Sequence, residues 1–464
     1  MEYNVGYFTL RLKALFSLSA VLFFSALMAE SSLPDQFLAD VEKWSGDVKA
    51  VLENFADYRF AVSSDGKVLT SNSDKLSFQE FKVWEQRLYF SETALDRIEL
   101  YLYNKGDAGE LEKEEFKNLI DKICARLEQI SGSRGVTGKV SNDRPNYYVN
   151  RRSWKVGDVG VQIEWAFVNA HRSNRVMVPF RAEFVKAVLT PVRAGSLTGR
   201  PSVKPDWAKL VSGRHLLKNV EQNGAGDVWV TGIPMVDQGQ KGYCAAASAE
   251  RVLRYYGWQG DQHEIAQLAD TAAQGGTSLE GMVAAISVVG KRYQLSSRTL
   301  LDPGSGASFE KSGFNKLIEQ YNRAAKSVDA EIIDPMDYCD TLPNNVKLIN
   351  IMSIFEVMNI DILKEARLSR TQEYQRFQQD VQAYVRQGVP LFWACVVGKI
   401  SETPALSVSG AFGHIRLIIG FNARENELLY SDSWGAGHAL KRIKVDDAWT
   451  MTFGLTVLKP RDVR

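Results

Sequence analysis

The spacing of apolar residues divides the chain into segments of different kinds. Leu111, Phe116, Leu119, Ile120, Ile123, Leu127 and Ile130 recur at helical spacing with charges between them, which predicts an amphipathic helix. Ser131-Gly132-Ser133-Arg134-Gly135 stops it. Val161, Ile163, Trp165 and Phe167 alternate with Gln162, Glu164 and Ala166, the pattern of a strand covered on one side. Residues 184–192 read as another strand. Residues 244–256 form a helix-forming run in which Ala245, Ala249, Val252, Leu253 and Tyr256 share a face, and Gly257 is a natural stop. A later helix carrying Tyr374, Phe377, Val381, Tyr384 and Val385 ends at Gly388, with Pro390 just beyond. Three apolar runs of buried-strand type follow, at 391–397, 415–421 and 428–431.

These patterns predict an α+β protein of two units. Residues 30–195 form the first, of mixed helix and strand. Residues 193–205 hold two glycines, two prolines and no apolar period, so the linker falls at 196–205. Residues 206–464 form the second, a helical half followed by an antiparallel β half, interrupted at about 301–370 by an insertion with helices of its own (314–325 and 351–366). A length of 464 residues agrees with two domains.

Charge narrows the partners. The net charge of +1 argues against nucleic acid or an acidic membrane surface, both of which select strongly basic faces. The N-terminus reads as an export signal. Arg11 and Lys13 precede an apolar and small-residue run at 14–29, ending in Ala26-Leu27-Met28-Ala29 before Glu30. That run is shorter than the ~18–20 residues that span a bilayer comfortably. Residues 1–29 are therefore expected to be a signal peptide that sends the protein to the periplasm or the exterior. Membrane contact is expected only if the segment is retained as an anchor.

Four cysteines, Cys124, Cys244, Cys339 and Cys395, show no Cys-x-x-Cys spacing, which excludes a disulfide scaffold or a zinc ribbon. Cys124 and Cys395 lie in apolar patterns and read as buried thiols. Cys244 is different. The glycine-containing loop Gln238-Gly-Gln-Lys-Gly-Tyr-Cys244 delivers it to a helix start, where free backbone N–H groups favour the thiolate. A thiolate nucleophile needs a base, and the base needs an acceptor to orient it. Of five histidines, His215 lies in a basic stretch, His171 and His438 in turns, and His263 reads as a solvated helix residue. His414 follows Gly410-Ala-Phe-Gly413 and opens an apolar strand, where a sheet can hold an imidazole over a cleft. One strand later comes Tyr430-Ser-Asp-Ser-Trp-Gly435, in which Asp432 can accept from the far ring nitrogen of His414 and Trp434 can cover that bond. Gln238 can donate to an oxyanion, although Gln240 is close enough to take its place.

Gln238-Gly239 followed after four residues by Cys244, Gly413-His414 before an apolar strand, and Asp432-Ser-Trp-Gly435 together resemble the glutamine, cysteine, histidine and Asn-Ser-Trp-Gly segments of papain-like cysteine peptidases. The resemblance covers residues 230–300 and 380–460. Asp432 in place of asparagine, and Ala245 in place of the tryptophan after the cysteine, are similar to the bacterial Cys-His-Asp branch that includes double-glycine leader peptidases, the C39-like peptidases. The resemblance implies a papain-like fold for the second unit and cleavage of peptide or protein substrates. It implies Cys244 as nucleophile, His414 as base, Asp432 as orienter and Gln238 as oxyanion donor, with no metal and no organic cofactor. A transglutaminase-like acyl transfer and a catalytically silent binding module are the alternatives. The N-terminal unit is expected to be an accessory, substrate-binding domain or a pro-region.

Overall fold

Alternating apolar residues in the N-terminal half build one long antiparallel sheet. The computed structural model describes residues 32–63, 66–91, 94–139, 146–173, 176–192, 213–239, 242–258, 260–268, 286, 288–302, 313–341, 347–406 and 410–462. The expected signal segment and linker fall outside these residues. Strands β1 (Val68–Ser71), β2 (Glu85–Phe90), β3 (Leu95–Asn104), β4 (Tyr147–Val156), β5 (Val159–Val168) and β6 (Arg181–Pro191) carry the sheet, and the helix α1 (Lys113–Ser131) lies between β3 and β4 in sequence. In space the order is β1-β2-β3-β6-β5-β4, with short strands Ala61–Val62 and Val136–Lys139 at the edges. One face carries Leu88, Ile98, Leu100, Val161, Ile163 and Ala187 into an apolar core that α1 covers with Phe116, Ile120, Ile123 and Leu127.

The opposite face corrects the expectation of a strand covered on one side. Glu85 pairs across the ladder with Tyr101, Arg87 with Glu99, and Lys186 with both Tyr101 and Glu164. All six side chains are buried, Glu164 at 4% exposure. The second half of the chain covers them.

That half opens with β7 (Asp227–Val230), then α2 (Cys244–Tyr255) and α3 (Gln262–Leu268). The strand β8 (Leu295–Leu301) follows, then α4 (Gly313–Ser327), α5 (Ile360–Leu368) and α6 (Thr371–Val385). Strands β9 (Leu391–Val397), β10 (Phe412–Asn422), β11 (Glu427–Ser431), β12 (Lys441–Lys444) and β13 (Thr452–Pro460) complete it, with α7 (Val445–Met451) before the last. The sheet runs β7-β10-β9-β13-β8, and β11 joins the free edge of β10 and carries β12. Residues 391–397 are buried at every position because both faces of β9 are covered. The layout mixes helix and strand in a way compatible with an α+β fold. Among the described residues no helix is long and apolar enough to cross a membrane.

In α2 the small side chains matter as much as the apolar ones. Ala245, Ala246, Ala247 and Ala249 are all buried, so the start of the helix is enclosed on every side rather than along one stripe. Residues of the expected insertion, Phe314, Leu317, Ile318, Tyr321, Ile354, Phe355 and Leu363, form a small apolar cluster of their own that meets the end of β9 at Val396.

Gly388, which ends α6, has φ 72°, and a Cβ added there would lie 2.3 Å from the carbonyl oxygen of Leu216. Gly388→Ala should therefore lower stability by about 1–3 kcal/mol. Chemical denaturation of the variant beside the parent measures it, and an unchanged midpoint would contradict this account.

Candidate active site

Cys244 is the first residue of α2, after Tyr243, whose side chain makes no cap. The first amides of the helix are thus directed at the thiol. His414 sits on β10 at a point where Cys395 of β9 is its ladder partner. Asp432 follows the last residue of β11, which pairs with β10 through Leu417 and Ser431. Two adjacent strands and one helix N-terminus therefore supply the three groups, and rigid ladders fix two of them.

Their side chains form one line of contacts. His414 Nε2 lies 2.5 Å from Asp432 Oδ1. The other ring nitrogen is left for Cys244, whose thiol is hydrogen-bonded to His414. His414 and Asp432 are buried, at 4% and 0% exposure, while Cys244 retains partial access to solvent. Trp434 stacks on the imidazole with ring centres 4.0 Å apart and planes 8° from parallel, so it shields the His414–Asp432 bond on that face.

Burial alone would raise the Cys244 thiol. The hydrogen bond to His414 and its positive charge outweigh this, with help from backbone amides of Ile415 and Ala245, and hold the thiol below its ordinary value. Burial pushes the His414 imidazolium the other way, but the Asp432 carboxylate and the thiolate raise it to about 9. Asp432 is buried too, yet the His414 charge and bond, then Arg416, lower it to about 2. Both shifts favour a thiolate beside an imidazolium over the neutral pair.

Gln238 is buried next to this line. Its backbone N–H donates to the Ser433 carbonyl at 2.8 Å. Ser433 Oγ donates to Gln238 Oε1 at 2.6 Å, which fixes the amide so that its NH2 end is the one able to donate onward. Gln240, the alternative, lies outside the described residues.

Several supporting residues were not anticipated. Arg416 Nε stands 2.9 Å from Asp432 Oδ2, while its other nitrogens make a bidentate pair with Glu402 at 2.8 and 2.9 Å. Glu402 also accepts from Tyr430 and Lys441, each at 2.8 Å. Arg416, Lys441 and Glu402 are no more than 1% exposed at their side chains. On α2, two turns below Cys244, Arg251 donates to the Asp432 carbonyl at 2.9 Å and to Ser431 Oγ at 2.5 Å. The helix of the thiol is thereby bonded to the segment of the carboxylate. The sequence did carry a signal for Arg416, because a charge inside an otherwise apolar strand run requires a buried counter-charge.

Among the other histidines, His215 is exposed, His171 lies in a short strand and His438 in a single 3-10 turn of helix, Ala436–His438, beside Trp434. His263 is not solvated. It is 2% exposed, with Nε2 3.2 Å from Glu85 of the N-terminal sheet, because α3 packs against that sheet. The four cysteines are free thiols, and Cys124 and Cys395 are buried.

Residues 230–455 match the Peptidase_C39 like family. The match supports a C39-like peptidase domain in this part of the chain. Cys244, His414, Asp432 and Gln238 all fall within the matched residues. No curated protein matches the chain.

Two measurements test the electrostatics. Alkylation of Cys244 by iodoacetamide should reach half-maximum at a pH clearly below the ~8.5 of a free thiol, and His414→Ala should move that midpoint upward. A midpoint near ~8.5 that is indifferent to His414 would remove the thiolate–imidazolium pair. Arg416→Met leaves Asp432 and Glu402 short of a buried counter-charge and should cost about 3–5 kcal/mol in urea unfolding. A loss below about 1 kcal/mol, the scale of an exposed ion pair, would show that the pairing is not needed.

Proposed function

We propose that the protein is an exported cysteine peptidase that hydrolyses peptide bonds through Cys244, His414, Asp432 and Gln238. The contact line from Cys244 through His414 to Asp432 supports this reading most directly. It joins a lowered thiol, a raised imidazole and a buried carboxylate within a C39-like peptidase domain. Export rests on the signal-like run at 14–29.

In this mechanism the Cys244 thiolate attacks the carbonyl carbon of the scissile amide. The carbonyl π electrons move to oxygen, and the resulting oxyanion is met by the Cys244 backbone N–H at the start of α2 and by the Gln238 side-chain NH2. His414 then transfers its proton to the amine as the C–N bond breaks, leaving a thioester. Water, deprotonated by the now neutral His414, attacks the thioester and restores the thiolate and imidazolium. Asp432 keeps the ring oriented and its charge favourable throughout. No metal or organic cofactor takes part. Transfer of the acyl group to an amine, as in transglutaminase-like enzymes, passes through the same thioester and differs only in the second nucleophile.

Turnover of a quenched-peptide library, with and without added primary amines, tests the proposal. Cys244→Ala should abolish turnover, and Gln238→Ala should lower kcat by roughly 10²–10³-fold. Activity should fall on the alkaline side as His414 loses its proton, near about 9. A full-length protein with an alkylatable Cys244 but no turnover of any peptide would favour a silent binding module. Products that carry the added amine would favour acyl transfer.

A further inference from the structure

The polar face of the N-terminal sheet is built around the helix that carries Cys244. Arg87 on β2 places Nε 2.5 Å from Glu85 and Nη1 3.0 Å from Glu250 of α2. Arg87 and Glu250 are 2% and 0% exposed at their side chains. Glu250 also takes the amide of Gln262 at 2.6 Å and the guanidinium of Arg254 at 2.5 Å. The neighbouring residue Arg251 holds the Asp432 segment. Consecutive side chains of α2 thus join the N-terminal sheet on one side and the backbone segment that carries Asp432 on the other. At about 100° per residue Glu250 lies some 120° around the helix from Cys244, so the sheet grips the flank of the helix and not the thiol.

Further contacts reach the same place. Gln262 Nε2 is 3.5 Å from Glu85 and donates at 3.3 Å to the carbonyl of Asp237, the residue before Gln238. His263, bonded to Glu85, packs against the ring of Tyr243, the residue before Cys244, with centres 5.6 Å apart. The Tyr243 hydroxyl in turn lies beside the backbone of Gly106 of the N-terminal half. Asp261, which caps α3 through the amides of His263 and Glu264, takes Tyr101 and Lys186 from the sheet, the latter at 3.3 Å.

We propose that Arg87 is a positioning residue for Cys244, and that the N-terminal half is a permanent part of the peptidase rather than a pro-region to be removed. Buried pairs between fixed strands and a helix demand one geometry, and a one-residue slip would leave charges unmatched. The sheet holds the helix behind the thiol directly at Glu250 and reaches the residues before Gln238 and Cys244 through Gln262 and His263 of α3, which sets the distance from thiol to imidazole. The proposal rests on the thiol chemistry assigned above.

Full-length protein carrying Arg87→Met, Glu250→Gln or both tests it, read by kcat, KM, the alkylation midpoint of Cys244 and the unfolding midpoint. Arg87→Met should lower kcat by roughly tenfold to a hundredfold with KM changed by less than about twofold, as a small misplacement of reacting groups does. The alkylation midpoint should rise by about half to one pH unit as the thiol loses its imidazolium partner. Glu250→Gln, which keeps the side-chain volume, should act in the same direction and carries the test where Arg87→Met does not fold. The double variant should fall little further than either single one. A stability loss with kcat and the alkylation midpoint unchanged would overturn the positioning role, since a merely structural contact moves only the unfolding midpoint. Higher activity in the variants would overturn it as well, because the sheet would then restrain the site. If the parent protein itself lacks a lowered alkylation midpoint, the reading of the thiol fails first. If the parent has it and both variants keep it, only the positioning role fails.

Discussion

A fully buried carboxylate organises the C-terminal half. Asp432 has no contact with solvent, so its charge has to be met by the protein. His414 meets one oxygen, Arg416 approaches the other, and Arg251 holds the carbonyl of the same residue. Each of those partners belongs to a different constraint. His414 and Arg416 alternate on β10 and so point to one face, while Arg251 lies on the helix of the thiol. Satisfying one negative charge therefore brings the strand, the helix and the turn after β11 into a single arrangement.

The same demand extends outward. Arg416 carries Glu402 with it, and Glu402 carries Lys441 and Tyr430, so the cation beside Asp432 is itself held on both sides. A buried chain of alternating charge adds little net stability compared with apolar packing, but it tolerates few alternative arrangements. At Glu250 the pattern is repeated across the boundary between the two halves, with Arg87 and Arg254 around one carboxylate. Apolar cores hold each half together, whereas charge pairs set how the halves meet the nucleophile helix.

Much of the local structure was legible from residue spacing. The amphipathic helix around Ile120 runs over Lys113–Ser131, the strand through Ile163 over Val159–Val168, and the helix of Cys244 over 244–255, all where the pattern put them. The motif residues Cys244, His414 and Asp432 could be singled out because each carries a reactive or polar group at or near the end of an element, and Gln238 because it lies in the loop that leads to Cys244. His263 could not be read correctly. Its neighbours Asp261, Gln262 and Glu264 are polar and suggest water, yet they are partners for buried charges on a sheet 75 to 177 residues away in the chain. The same error applies to Glu164, whose alternation with apolar residues suggested a wet face.

Sequence alone determined which residues could do chemistry and on which elements they sit, because capping, turn and alternation signals are local and depend on a few neighbours. Tertiary structure decided which charges are paired. A charged side chain looks the same in sequence whether water or a buried counter-ion meets it, and only the packing of distant strands and helices selects between the two. That is why Cys244 was evident from its loop, while Arg251 and Arg87, which fix its surroundings, were not.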